Sequence, residues 1–394
     1  MSPTTVCAPP WKGWWRRAER GVATVRDVFD TFGDEYLRRH GTRMLPSHLR
    51  AIADIRACRT SALGGHLVVC DACGEHHHRW HSCRNRSCPR CGGAATERWL
   101  AARQQLVLPV EHFHLVFTLP SALRAAVRKH QRALLGALFR SATTALRELA
   151  ADPRYAGGAI GVLAAVHTWG RNLAWHPHMH CLVPGCAVDD DGKVHRVRKG
   201  FLVPVRALGA LFRGKFMAEA KRLVPDPAEL PAKVWDQPWV VFIKKAVRPE
   251  HVLSYLGRYV HRTAISDQRI LTVDEQHVTF RYRDHRDGKQ KTMRVHGLEF
   301  MRRFLQHVPP KGLHRIRYYG LFHHSQQADL ERARLQLSIL NPDEPPANTA
   351  SPTAPSYEPR CPYCGSTDLL FLDDVPPQSR APPLPAPRRP RGNP

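Results

Sequence analysis

The chain lacks any apolar run fit to cross a bilayer: nothing in its 394 residues approaches the roughly 18 consecutive apolar positions of a spanning helix. The opening stretch, MSPTTVCAPPWKGWWRRAER, has no apolar h-region, so no secretory leader is expected. The expected compartment is the cytoplasm, where thiols stay reduced. No internal repeat is found, and so no repeat architecture is expected. Acidic residues are scarce, with 34 Asp and Glu against 59 Lys and Arg, a formal charge of +25. Such a surplus attracts a polyanion. The basic residues cluster around the Cys- and His-bearing motifs, which favours nucleic acid. No basic amphipathic helix flanked by aromatics is present, so a membrane surface is not the expected partner.

What is present suffices for a sizeable core, since 43% of the residues are hydrophobic. The length suggests two or three domains, and the chain divides into four pieces. Residues 1–57 read as a basic helical segment and 58–100 as a zinc-binding domain. Residues 105–320 form the only block large enough for a full core. The segment 341–394 holds 15 of the 33 prolines, so most of it cannot join a helix or a ladder; it is expected to be a disordered tail carrying one CxxC. Within 105–320, strands are expected at 113–120, 159–170, 178–188, 239–247 and 277–284. Helices are expected over 121–149, 205–223 and 249–262. That order predicts an α+β fold with a mostly antiparallel sheet and helices packed on it.

Cys70 and Cys73 form one CxxC, Cys88 and Cys91 a second, with fourteen residues between the pairs. Two such knuckles can complete a tetrahedral thiolate shell, and the expectation is one structural Zn²⁺ held by these four residues. Four thiolates leave no open position for chemistry. Cys58 and Cys83, with His66, His76, His77, His78 and His81, are further donors that could build a second site or merely lie nearby. Arg84, Arg86 and Arg90 surround the knuckle and are candidate DNA contacts. Cys361 and Cys364 form a third CxxC, a half-site that needs ligands from elsewhere.

The stretch HPHMHCLVPG places His176, His178 and His180 at alternate positions. On a strand, His178 and His180 share one face, while Met179, Cys181 and Val183 point into the core. Two imidazoles so placed, roughly 6–7 Å apart at Cα, can converge on one divalent cation. His167, on the preceding strand, is the candidate third ligand. In RPEHVLSYLGRYVHR, Tyr255 and Tyr259 are four apart on a predicted helix and share a face, with Arg258 and Arg262 beyond them. A phenol oxygen can attack a DNA phosphate if a cation polarises it and arginines hold the non-bridging oxygens.

Together these motifs resemble the rolling-circle transposases of the insertion-sequence-91 type, members of the HUH endonuclease superfamily. The resemblance rests on His178-Met179-His180, on YLGRYVHR and on SCRNRSCPRC, with HTWGRNLAWHPHMHCLVPG, VTFRYRDHRDG and RRFLQHVPPKGLHRIRYYG, and it spans roughly 40 to 320. It implies an HUH-type catalytic domain whose histidine strand lies mid-sheet beside the tyrosine helix, preceded by a helical and zinc-knuckle domain. It implies cleavage and rejoining of single-stranded DNA through a 5′-phosphotyrosine in rolling-circle transposition, with Tyr255 and Tyr259 as nucleophiles. The substrates would be the element's own ends and target DNA. The resemblance also supports His167 and implies Mg²⁺ or Mn²⁺ as the catalytic ion, imidazole favouring Mn²⁺ somewhat. A replication initiator or relaxase would share this chemistry; flanking element ends would distinguish it. A non-catalytic zinc-finger regulator would explain the charge and the cysteines, but would leave the histidine strand and the tyrosines without a role.

Overall fold

A computed structural model describes residues 23–103, 106–198, 200–236, 239–245, 257, 263–284, 287–340 and 359–378. Helix α1 (Val25–His40) begins with a capping box. The Thr24 hydroxyl accepts the Asp27 N–H, and the Asp27 carboxylate accepts the Thr24 N–H. Val25, Val28, Phe29, Phe32 and Tyr36 bury its apolar stripe. Helix α2 (Pro46–Ala57) starts on a proline, whose fixed φ suits the first turn. A hairpin of β1 (Gly65–Cys70) and β2 (His76–Trp80) follows, then α3 (Pro89–Ala101), which starts directly after Cys88.

The chain next makes β3 (His112–Thr118), the consecutive helices α4 (Arg124–Lys129) and α5 (Gln131–Ala151), β4 (Gly161–Trp169) and β5 (Trp175–Pro184). A small hairpin joins β6 (Cys186–Val188) to β7 (Val194–Arg196), and α6 (Val205–Leu223) leads to β8 (Val240–Lys245). Then come β9 (Ile270–Val273), β10 (His277–Arg283), β11 (Gln290–His296), α7 (Gly297–Leu305), β12 (Ile316–Gly320), α8 (Gln327–Leu340) and β13 (Leu369–Val375). The fold is α+β, as the sequence predicts. No helix among the described residues is long and apolar enough to cross a membrane.

The central sheet has the order β12-β4-β5-β3-β8, every pair antiparallel, with the histidine strand β5 in its middle. Its two faces differ. Met179 (0% exposed), Cys181 (1%) and Val183 point into a core with Leu115, Phe117, Val162, Ala164 and Val166, and with the helices α5 and α6. A slip of one residue in β5 would turn these side chains out and bury the histidines, so the core fixes the register. On the opposite face, Leu163 and Leu182 pack with α8 and with Trp99 and Leu100 of α3. The Trp99 indole N–H donates to the Tyr318 hydroxyl at 3.0 Å. The zinc-domain helix thus lies on the same face as the histidines.

Two features depart from the expected partition. Helices α1 and α2 have no core of their own: Phe29, Phe32 and Ile55 are buried together with Phe280, Phe300 and Phe304 from β10 and α7. Short amphipathic helices need such a partner, because helices of this length are marginal alone. The proline-rich C-terminal segment also contains ordered structure. Strand β13 pairs antiparallel with β1, giving a three-stranded sheet of order β13-β1-β2.

Candidate active site and metal centres

β4 and β5 bring three histidines together. His167 lies directly opposite His178 in the ladder, and His180 opposite Ala165. One ring nitrogen from each of His167, His178 and His180 falls within a group whose members are all within 4.8 Å of one another. Ring centroids are 4.7 Å apart for His167 and His180, 4.9 Å for His178 and His180, and 5.5 Å for His167 and His178. His167 is buried (4% exposed) and the other two are half-buried, so the cluster is only partly open to solvent.

Neighbouring groups orient these rings. His178 Nδ1 lies 2.8 Å from the His176 carbonyl, which can only accept, so this nitrogen donates and the lone pair of the neutral ring is on Nε2. Burial lowers the His178 pKa from its ordinary value, which keeps the ring neutral and able to ligate. His180 Nδ1 is 2.9 Å from His114 Nε2, and the two rings stack. His114, on β3, is held neutral at a pKa of about 4, first by burial and then by the charge of Lys244. His167 stacks on Trp169 at 4.5 Å, beside the bulge that ends the regular β4–β5 register. Sequence reasoning passed over His114. Its parity with His112 and Val116 in an apparently apolar strand was the available signal, but only the β3–β5 register brings it to His180.

Tyr255, Tyr259, Arg258 and Arg262, and with them the helix predicted over 249–262, lie outside the described residues. Gly257, between the two tyrosines in sequence, is described. A Cβ placed on it would meet Leu100 Cδ1 at 3.1 Å and Thr96 Cγ2 at 3.2 Å. This position therefore rests against α3, the helix that also covers part of the histidine face.

The cysteines sort differently from the expected single site. Cys70, Cys73, Cys88 and Cys91 do not converge. Cys88 and Cys91 join Cys58 and Cys83, while Cys70 and Cys73 join Cys361 and Cys364. The reason is topological: β1 ends at Cys70 alongside β13, whereas α2 delivers Cys58 to the α3 N-terminus. In the first cluster, Cys58 and Cys83 each lie 3.6 Å from Cys91 at sulfur. In the second, Cys70–Cys364 is 3.5 Å and Cys73–Cys361 3.6 Å. A tetrahedral zinc with Zn–S bonds of about 2.3 Å has sulfurs about 3.8 Å apart, whereas a disulfide holds them at about 2.05 Å. Both clusters therefore fit zinc. Hydrogen bonding within the cluster lowers the thiols of Cys58 and, more strongly, of Cys91 from the ordinary cysteine value.

Of the three knuckle arginines, Arg86 donates to the Leu313 carbonyl at 2.7 Å and Arg90 approaches Asp267 at 3.5 Å, so both contact the protein itself. Arg84 is exposed, with the left-handed φ of 54°.

Comparisons with known proteins point to a transposase with a zinc-binding domain. Residues 161–329 match the family model described as "Putative transposase", and residues 28–119 match "Transposase zinc-binding domain". A relative in Sinorhizobium fredii, "Putative transposase y4qJ", is 39% identical over 385 residues, covering 90% of this chain and 96% of that one. The "Transposase for insertion sequence element IS801" of Pseudomonas savastanoi pv. phaseolicola is 29% identical over 339 residues, covering 81% and 82%. No solved structure matches.

Proposed function

Because the chain belongs to the transposase family of the insertion-sequence-91 type, with its zinc-binding domain, we propose that it cuts and rejoins single-stranded DNA through a phosphotyrosine. The three-imidazole cluster on the outward face of β4 and β5 carries this reading. A Mg²⁺ or Mn²⁺ ion held by His167, His178 and His180 would polarise the scissile phosphate and offset its developing charge. His114 and the His176 carbonyl hold the two β5 rings with their Nε2 atoms directed away from these supports. Such outer partners fix the tautomer and aim of a ligand.

In the reaction, the phenol oxygen of Tyr255 or Tyr259 bonds to phosphorus and loses its proton. The P–O3′ bond breaks, and the departing oxygen takes a proton to become a free 3′-hydroxyl. The phosphotyrosine retains the ester bond energy, so a later 3′-hydroxyl can displace the tyrosine and reseal the strand without ATP. Two tyrosines four apart would let one hold a donor end while the other cuts a target. Arg258 and Arg262 would hold the non-bridging oxygens, and Arg84 would contact DNA nearby.

The test uses purified protein, a single-stranded oligonucleotide from the element end and Mg²⁺ or Mn²⁺. A covalent protein–DNA adduct is expected from the wild type and none from the Tyr255→Phe, Tyr259→Phe double variant. An adduct that persists in the double variant would overturn the assignment. Each single variant should retain some nicking yet fail in transposition.

A further inference from the structure

Cys361 and Cys364 lie beyond both family matches, which end at residues 119 and 329. We propose that Cys70, Cys73, Cys361 and Cys364 bind a second zinc ion, which clasps the C-terminal segment onto the N-terminal domain. This inference does not depend on the DNA-cleavage reading.

The two halves of the cluster are built alike. In CDACG, the Gly74 N–H donates to the Cys70 carbonyl at 2.8 Å and Gly74 has φ 75°. In CPYCG, the Gly365 N–H donates to the Cys361 carbonyl at 2.9 Å and Gly365 has φ 82°. Each turn closes on a left-handed glycine, a conformation costly for other residues. Each aims two sulfurs at a common centre, and all four sulfurs lie within 4.8 Å of one another. The Cys88–Cys91 knuckle differs: Cys88 stands at the N-cap position of α3, and that helix continues through Cys91.

The backbone is built around the same joint. β13 pairs with β1 from Gly65↔Val375 to Cys70↔Leu369, and the Asp71 N–H donates to the Asp368 carbonyl at 2.9 Å beside the cluster. Gly64, with φ 67°, lets the chain pass so close that a Cβ would lie 2.6 Å from the Val375 carbonyl oxygen. Yet apolar burial is too meagre to hold the strand. Leu370 is 54% exposed and Phe371 59%, and neither belongs to one of the three cores. A small sheet without a core needs a metal or a disulfide as its staple. The sulfur separations are those of a metal shell. The sulfur pairs are 288 and 294 residues apart in sequence, so the clasp closes nearly the whole catalytic domain into one loop.

The experiment uses the full chain under reducing conditions, with a site-specific protease sequence inserted between residues 341 and 358. Elemental analysis should give two zinc ions per chain. After cutting, the piece bearing residues 359–378 should stay with the body in size exclusion and native mass spectrometry, and should leave when a chelator removes zinc. The Cys361→Ser, Cys364→Ser double variant should hold one zinc fewer and release the piece without chelator. The proposal fails if the piece separates before chelation or stays after complete zinc removal. It also fails if the double variant keeps two zinc ions.

Discussion

The two four-cysteine clusters offer the same donors and sit in opposite surroundings. Around Cys58, Cys83, Cys88 and Cys91, the structure is a core: Cys58 and Cys88 are buried with Phe29, Ile55 and Trp169, and α3 starts at the site. That helix runs to Trp99 and Leu100 on the histidine face of the central sheet. Around Cys70, Cys73, Cys361 and Cys364 there is almost no core, and Cys73 and Cys364 are exposed. The chemistry is therefore shared while the consequences diverge. A metal in the first cluster sets the position of a helix that borders the candidate active site; a metal in the second holds one strand.

The sharpest way to break this contrast is Cys88→Ser. Structural zinc contributes about 10–16 kcal/mol in small zinc domains, comparable with the whole stability of a typical protein. The expected outcome is loss of one zinc, loss of hydrogen-exchange protection in α2 and α3, and loss of nicking. A variant that nicks normally would show that α3 does not depend on this centre. Next in size is His178→Ala with His180→Ala. Nicking should fall at least about 100-fold while DNA affinity changes little, since affinity comes mostly from phosphate contacts. Nicking and filter-binding assays on one preparation separate the two effects.

A smaller effect is expected from Gly257→Val. The added carbons would press on Leu100 and Thr96, and such overpacking costs about 1–3 kcal/mol. The protein should stay folded with both zinc ions bound, and nicking should drop roughly tenfold. Unchanged nicking would show that contact with α3 does not position the tyrosine segment. A last test is acid. Burial holds His307 at about 3 and His48 at about 4, against 6.5 in the unfolded chain. Above pH 6.5 both rings are neutral in either state, so they add no pH dependence. As pH falls below 6.5, only the unfolded state takes up these protons, and each histidine removes up to about 1.4 kcal/mol of stability per pH unit until its folded pKa is reached. Urea midpoints should therefore fall from pH 6.5 toward 4, and His307→Gln should flatten that slope.

Much of the catalytic sheet was legible because its signals are local. The alternation of His178 and His180 with Met179 and Cys181 fixes parity, and parity alone separates the histidine face from the core face. His167 was accessible from adjacency of strands. The cysteines were not, because a CxxC specifies two ligands and says nothing of the other two. Cys58 reaches Cys91 only through the packing of α2, and Cys361 reaches Cys73 only through the β1–β13 ladder. Prolines on either side of Cys361 disguised a short ordered strand as part of a structureless tail. The N-terminal helices carried a clear amphipathic stripe, but nothing local identified Phe280 and Phe300 as its cover.

The β13-β1-β2 order also sets a timetable for synthesis. β1 is the middle strand, yet one of its neighbours and half of the sulfur shell beside it come from beyond residue 360. At about 5–20 residues per second, the ribosome needs on the order of tens of seconds to supply them. Until then Cys70 and Cys73 wait as an open half-site with one edge of β1 unpaired. A chain cut short before Cys361 never leaves that state, so closure of the clasp requires synthesis to have run through β13.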